Sequence, residues 1–313
     1  MNLFVGVTDN DWFDFLRAAD PPEVNFWRPS GQGFAALRPG EPFLFKLKAP
    51  RSAIAGGGFF VRYTRLPLTL MWDIFGQKNG AADFQTLAPT IRNYRRDSGP
   101  NPHVGCTVLT SPFFFDEADW IPVPESFSKN IVSGKSYDTA TEEGRRLWRQ
   151  VRMRLDTPDR TVLTPAEDQS PSPGQVAEDL AEYGAEYVAR NRLGQSAFRT
   201  AVTDAYQRRG AITGEKTLPA LQASHIKPYA ASGPHRVDNG LLLRADVHQL
   251  FDAGYVTLTS NYCVEVSRRI REEFQNGDEY YAFQGTRLHL PDEKNDRPSD
   301  SFIEHHNTEI YVG

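Results

Sequence analysis

Four side chains in one stretch of this sequence are of the types that proton transfer and metal binding need. His225 closes an apolar run, LQASH, and a loop rich in Gly, Pro and Ser follows it. Asn239 stands 14 residues later and His248 a further 9. The ordinary histidine pKa is near ~6.5, so a neutral ring at a strand end is available as a general base. In LLLRADVHQLFD, His248 and Asp252 stand at i and i+4, on one face of a helix, where both could hold a divalent cation. A base and a cation together serve phosphodiester hydrolysis, which needs a deprotonated water and positive charge against the transition state. Each residue also has a plainer reading. An isolated histidine on an apolar stretch is more often packed than catalytic, and Asp252, before Ala253–Gly254, could simply end its helix. The common register of the set is what favours chemistry.

That register has a family likeness. Residues 221–259, LQASHIKPYAASGPHRVDNGLLLRADVHQLFDAGYVTLT, strongly resemble the HNH endonuclease motif of the ββα-metal fold, in the variant with N-G-L-L-L and D-x-H-x-L-F-D. The upstream text RLGQSAFRTAVTDAYQRRGAITGEKTLPAL resembles the flank that precedes the first histidine, so the likeness spans roughly residues 190–310. It implies that His225 is the general base, that the Asn239 amide ties the loop so the base stays aimed, and that His248 occupies the metal-binding helix position. Asp252 would be a second ligand. Many relatives carry Asp or His immediately before the base, where this chain has Ser224. A thin ligand set of this kind suits a water-rich Mg²⁺ or Mn²⁺ site, or a softer ion held by His248. Gly210 stands where relatives often have Cys, so a cysteine-built structural zinc is not expected. His235 reads as a solvent or phosphate contact, and His305 and His306 as a tail packed back on the domain.

The elements that must place these residues can be read from the pattern. An apolar strand ends at Ser224–His225, Asp238–Asn239–Gly240 makes a turn, LLLRADVHQLFD starts as a strand and ends as a helix, and GYVTLT returns as a strand. The first half reads mainly as strands: residues 3–7, 39–48, 54–67 and 104–115, with DWFDFLRA as a helix. Glycines in IAGGGFFVRYTRLP point to a bulge or tight curvature. Short strands with one or two helices make a small curved sheet or barrel. Between the halves, residues 157–176 carry four prolines and few large apolar residues, which is linker composition, and a helical pattern through Leu180, Tyr183, Tyr187 and Val188 follows.

Composition sets the outer bounds. The chain has 313 residues, 39% hydrophobic and 24% charged, enough for two ordinary globular domains. Its two cysteines, Cys106 and Cys263, form no CxxC pair, which argues against a disulfide framework and fits a reducing compartment. The acidic N-terminal stretch lacks the basic region of a signal peptide, and no apolar run approaches the ~20 residues of a membrane helix. A cytoplasmic protein is expected. The net charge of −5 is unevenly spread: residues 1–155 carry +3, residues 156–189 carry −7 and residues 190–313 carry −1. Charge therefore neither indicates nor excludes a nucleic-acid partner.

In the first half, NFWRPSG, Phe34, ALRPGEPFLFKLK and IAGGGFF resemble a PUA-like domain of the kind found in EVE, YTH and SRA-related readers, over about residues 1–140. The resemblance implies a module that holds a flipped, modified base between aromatic walls. Trp27, just after Asn25, is the leading wall; Trp12 and Trp72 are alternatives. Phe43, Phe45, Phe59 and Phe60 alternate as core, and Lys46, Lys48, Arg51, Arg62 and Arg65 could face phosphates or merely solvent.

The resulting expectation is an α+β chain of three parts. Residues 1–155 form a PUA-like modified-base reader, residues 156–189 a linker and the start of a helix, and residues 190–313 a ββα-metal HNH nuclease. It would cut double-stranded DNA that carries a modified base, acting as a homodimer or as two engaged copies, since one ββα site cuts one strand. The alternatives are an unspecific or nicking nuclease with a general DNA-binding domain, and a modified-nucleic-acid reader that does not cleave.

Overall fold

The computed structural model describes residues 1–29, 33–94, 99–155 and 194–313, and the chain divides into two compact units, Met1–Asn191 and Arg192–Gly313. The proposed linker at 157–176 and the helical pattern after it lie outside the described residues.

The first unit runs β1 (Asn2–Thr8), α1 (Asn10–Ala19), β2 (Glu23–Arg28), β3 (Pro42–Leu47), β4 (Ala53–Pro67), α2 (Leu68–Phe75), α3 (Phe84–Tyr94), β5 (His103–Phe114), β6 (Ile121–Pro122), β7 (Gly134–Asp138) and α4 (Glu142–Leu155). The strands form one mixed sheet in the order β2-β5-β4-β3-β1-β7, with β6 added to β4. Among the described residues only β1 and β3 pair in parallel. Of the two shapes expected, the sheet takes the open one; no barrel closes among the described residues.

Alternating side chains give the sheet two apolar faces. On one face Phe43, Phe45 and Leu47 pack with Trp12, Phe13 and Leu16 of α1. On the other, Leu3, Val5, Leu44 and Phe59 pack with Leu147, Trp148 and Val151 of α4. Helix α1 starts where the Asp9 side chain accepts from the Asp11 amide at 3.1 Å and ends at Asp20 in the left-handed region. The expected irregularity in β4 shows as two register shifts against β5, at Gly57/Phe59 and Phe60/Arg62, and one against β3, at Phe45/Lys46. A Cβ on Gly56 would lie 2.2 Å from the Phe113 carbonyl oxygen, so β5 can approach only a glycine there.

The second unit runs α5 (Gln195–Ala205), β8 (Leu221–His225), β9 (Gly240–Arg244), α6 (Ala245–Asp252), β10 (Val256–Leu258), β11 (Val264–Val266), α7 (Arg269–Phe274), α8 (Asp278–Tyr281) and α9 (Asp300–Glu309). Strands β8 and β9 form an antiparallel hairpin with His225 opposite Gly240, and α6 follows β9 directly. Phe198, Val202, Leu241, Leu243, Phe251 and Ile303 are buried together and hold α5, the hairpin, α6 and α9 as one body. Among the described residues no helix is long and apolar enough to cross a membrane.

Candidate active site

The hairpin and α6 bring the sequence-selected residues to one place. His225 ends β8, His248 and Asp252 project from α6, and all three line a cavity of about 430 Å³ with Phe198, Arg199 and Tyr229. The half-buried His225 ring lies flat on Phe198, with centroids 4.0 Å apart and planes 12° apart. Burial, helped by nearby His235 and His248 and opposed by Asp252, pushes its pKa down to about 4. At neutral pH the ring is therefore uncharged and can accept a proton.

Asn239 lies outside the cavity lining and is fully buried. Its Oδ1 accepts from the Lys227 amide at 2.8 Å, and its Nδ2 donates to the carbonyls of Lys227 (3.0 Å) and Pro234 (2.9 Å). One amide thus spans the loop from just after His225 to just before His235. His235, read from sequence as a solvent or phosphate contact, is partly exposed and sets Nδ1 2.8 Å from Nε2 of His225. Its ring stacks on Tyr229 at 4.7 Å.

On α6, His248 Nε2 is 3.1 Å from Asp252 Oδ2, and His248 Nδ1 is 2.7 Å from Gln222 Oε1 on β8. Ser224, fully buried, approaches Asp252 Oδ1 through its hydroxyl at 3.4 Å. Among the described residues no group of three or more His, Cys, Asp or Glu is placed to enclose a metal ion. The pair His248–Asp252 still fits one. Adjacent ligands of an octahedral ion bound at about 2.1 Å stand roughly 3 Å apart, and Mg²⁺ commonly uses one or two protein ligands with water and phosphate completing the shell. The donors suit a half-open, water-rich site and do not suit a closed structural one.

His306, expected in a packed tail, is 1% exposed but lines the cavity wall. It stacks on Phe251 at 3.9 Å, its Nε2–H donates to the Phe251 carbonyl, and Nδ1 meets the Thr257 hydroxyl at 2.8 Å. Burial pushes its pKa down to about 4.

The pocket residues chosen in the first unit are placed differently from one another. Asn25 is fully buried, its Nδ2 donates to Asn79 Oδ1 at 2.8 Å, and its Oδ1 is buried with no hydrogen-bond partner among the described residues. The half-buried Trp27 donates from Nε1 to the Asn79 carbonyl at 2.9 Å. Trp12 is core, packed edge-on against Phe26 and Phe45. Trp72 is half-buried beside Phe84. Of the basic residues, Lys48 pairs with Asp9 and Arg51 with Asp14, so those two charges are already matched.

A hairpin that leads straight into a helix, carrying a neutral histidine opposite a His–Asp pair, can take a proton at one point and hold a cation at another. Residues 211–259, which contain His225, Asn239, His248 and Asp252, match the family model of HNH endonucleases. Among solved structures, the ASCH protein from Zymomonas mobilis is 10% identical, over 47% of this chain and 94% of its own, with a TM-score of 0.34. The modification-dependent restriction endonuclease TagI is 13% identical, over 86% of this chain and 61% of its own, with a TM-score of 0.27. Comparison with curated proteins finds no match.

Proposed function

We propose that the chain is a modification-dependent DNA endonuclease whose second unit hydrolyses phosphodiesters and whose first unit selects DNA carrying a modified base. The observation that carries the nuclease half is the meeting of His225, His248 and Asp252 around one cavity within the HNH-matching stretch. Neutral His225 takes the proton from the attacking water. Phe198 holds the ring face, and Asn239 fixes the loop on which the base turns into the cavity. His248 and Asp252 would hold a divalent cation, which when bound supplies positive charge against the phosphate oxygens. Gln222 at His248 Nδ1 keeps that ring turned so that Nε2 faces Asp252.

The selective half rests on the sequence resemblance of residues 1–140 to PUA-like readers. It is also supported by Asn25, whose buried Oδ1 lacks a partner among the described residues and which shares Asn79 with Trp27. The test is incubation of the full chain with Mg²⁺ or Mn²⁺ and plasmids that differ only in cytosine or adenine modification. Cutting of one modified plasmid and sparing of the unmodified one is expected. Equal cutting of all plasmids would leave an unspecific nuclease, and no cutting with either metal would reject the nuclease reading.

A further inference from the structure

The hydrogen bond between His225 and His235 decides whether His225 can be a base at all. Two ring nitrogens 2.8 Å apart share one proton, since two lone pairs or two N–H groups facing each other would repel. If His235 supplies that proton, a neutral His225 keeps its own proton on Nδ1 and has no lone pair left to offer. If His225 supplies it from Nε2, the lone pair on His225 Nδ1 is free to take a proton from water. His225 Nδ1 has no hydrogen-bond partner among the described residues, so nothing else there competes for it.

We propose that His235 is the positioning residue of this site: its Nδ1 accepts from Nε2–H of His225 and so holds His225 in the tautomer that is basic at Nδ1. The inference rests on the nuclease reading of the same cavity. The surroundings are built for a fixed pair of rings. Phe198 lies flat on His225 and Tyr229 lies flat on His235, at plane angles of 12° and 11°. Asn239 bonds to the backbone at Lys227 and at Pro234, so a single buried amide sets the spacing between the two histidines. The charged or titratable groups acting on His225 are His235, His248 and Asp252, and His235 is the one in direct contact. During the reaction the water O–H bond breaks and its proton moves to Nδ1. His225 becomes an imidazolium, and the N–H on its Nε2 still points to a neutral acceptor. The hydroxide oxygen bonds to phosphorus as the bond to the leaving oxygen breaks, its electron pair going to that oxygen, which then takes a proton from solvent water.

Long-range proton–nitrogen correlation on the full chain with isotope-labelled histidine reads the tautomer directly. His225 is expected to carry its proton on Nε2 alone, and His235→Ala should mix the two tautomers. DNA cleavage in His235→Ala should fall by about 10–100-fold, the range that follows loss of the hydrogen-bond partner orienting a metal-bound histidine. His235→Asn, which places an amide oxygen near the lost Nδ1, should recover most of that activity and the single tautomer. A parent protein with its His225 proton on Nδ1 would overturn the proposal. So would a folded His235→Ala that retains both parental tautomer and parental rate. If the parent cuts no DNA, the nuclease reading falls on its own, while the tautomer measurement still decides the role of His235.

Discussion

At the scale of single residues, the site depends on side chains that are buried for different reasons. Asn239 is buried as a bracket. Asn239→Ala would leave the Lys227 amide N–H and the Lys227 carbonyl without the partner they have here, while the Pro234 carbonyl keeps the Arg236 amide, at about 1–3 kcal/mol for each group that stays buried and unpaired. A drop of at least that size for one group is expected in urea unfolding of the full chain, together with loss of cleavage. His306 is buried as a wall. Its folded pKa of about 4 lies below the ordinary 6.5, so between those values the unfolded chain binds a proton that the folded chain refuses. Its contribution to stability is complete above about pH 6.5 and is lost as pH falls toward about 4, by roughly 3 kcal/mol at most. His225, also displaced to about 4, acts in the same direction. Urea midpoints measured between about pH 7 and 5 should therefore fall, and His306→Gln should flatten the fall. His248 is proposed, with Asp252, to hold the metal. His248→Ala should weaken Mn²⁺ binding by calorimetry and slow cutting in parallel, and unchanged Mn²⁺ affinity would place the ligand elsewhere.

At the scale of elements, the hairpin and α5 are locked by a close approach. A Cβ on Gly240 would stand 2.4 Å from Val202 Cγ2 and 3.2 Å from the Phe198 ring. Gly240→Val should therefore cost about 1–3 kcal/mol through overpacking and shift Phe198, the plate under His225. The expected readings are a lower thermal midpoint and slower cleavage. Much of this hairpin was legible in advance, because His225, Asn239, Gly240, His248 and Asp252 lie in a continuous motif and strand and helix patterns change between them. What was not legible came from elsewhere in the chain or from a loop path. Phe198 reaches His225 from a helix 27 residues upstream, and His235 meets His225 only because Asn239 bends the loop. In the first unit, β4 and β5 were readable within about two residues of their ends from their β-branched and aromatic runs. The helices at Leu68–Phe75 and Phe84–Tyr94 were not, and the short turn between them supplies Asn79 to Asn25 and Trp27 across more than 50 residues of sequence. A long-range side-chain partner of that kind has no local signal.

For the whole molecule, choosing and cutting are proposed to fall to different units. Trp27→Ala in the full chain should reduce preference for the modified duplex by roughly ten- to a hundredfold, the worth of one aromatic stack, and spare weak salt-sensitive binding. Fluorescence anisotropy without divalent metal, so that no strand is cut, reads that directly. Equal affinity of parent and variant for every duplex would move selection away from Trp27. The claim on which the rest depends is that His225 is the general base, and single-turnover cleavage beside binding tests it most directly. His225→Ala should bind the preferred duplex as the parent does while cutting about 10²–10⁴-fold more slowly. A variant that cuts at the parental rate would contradict the account.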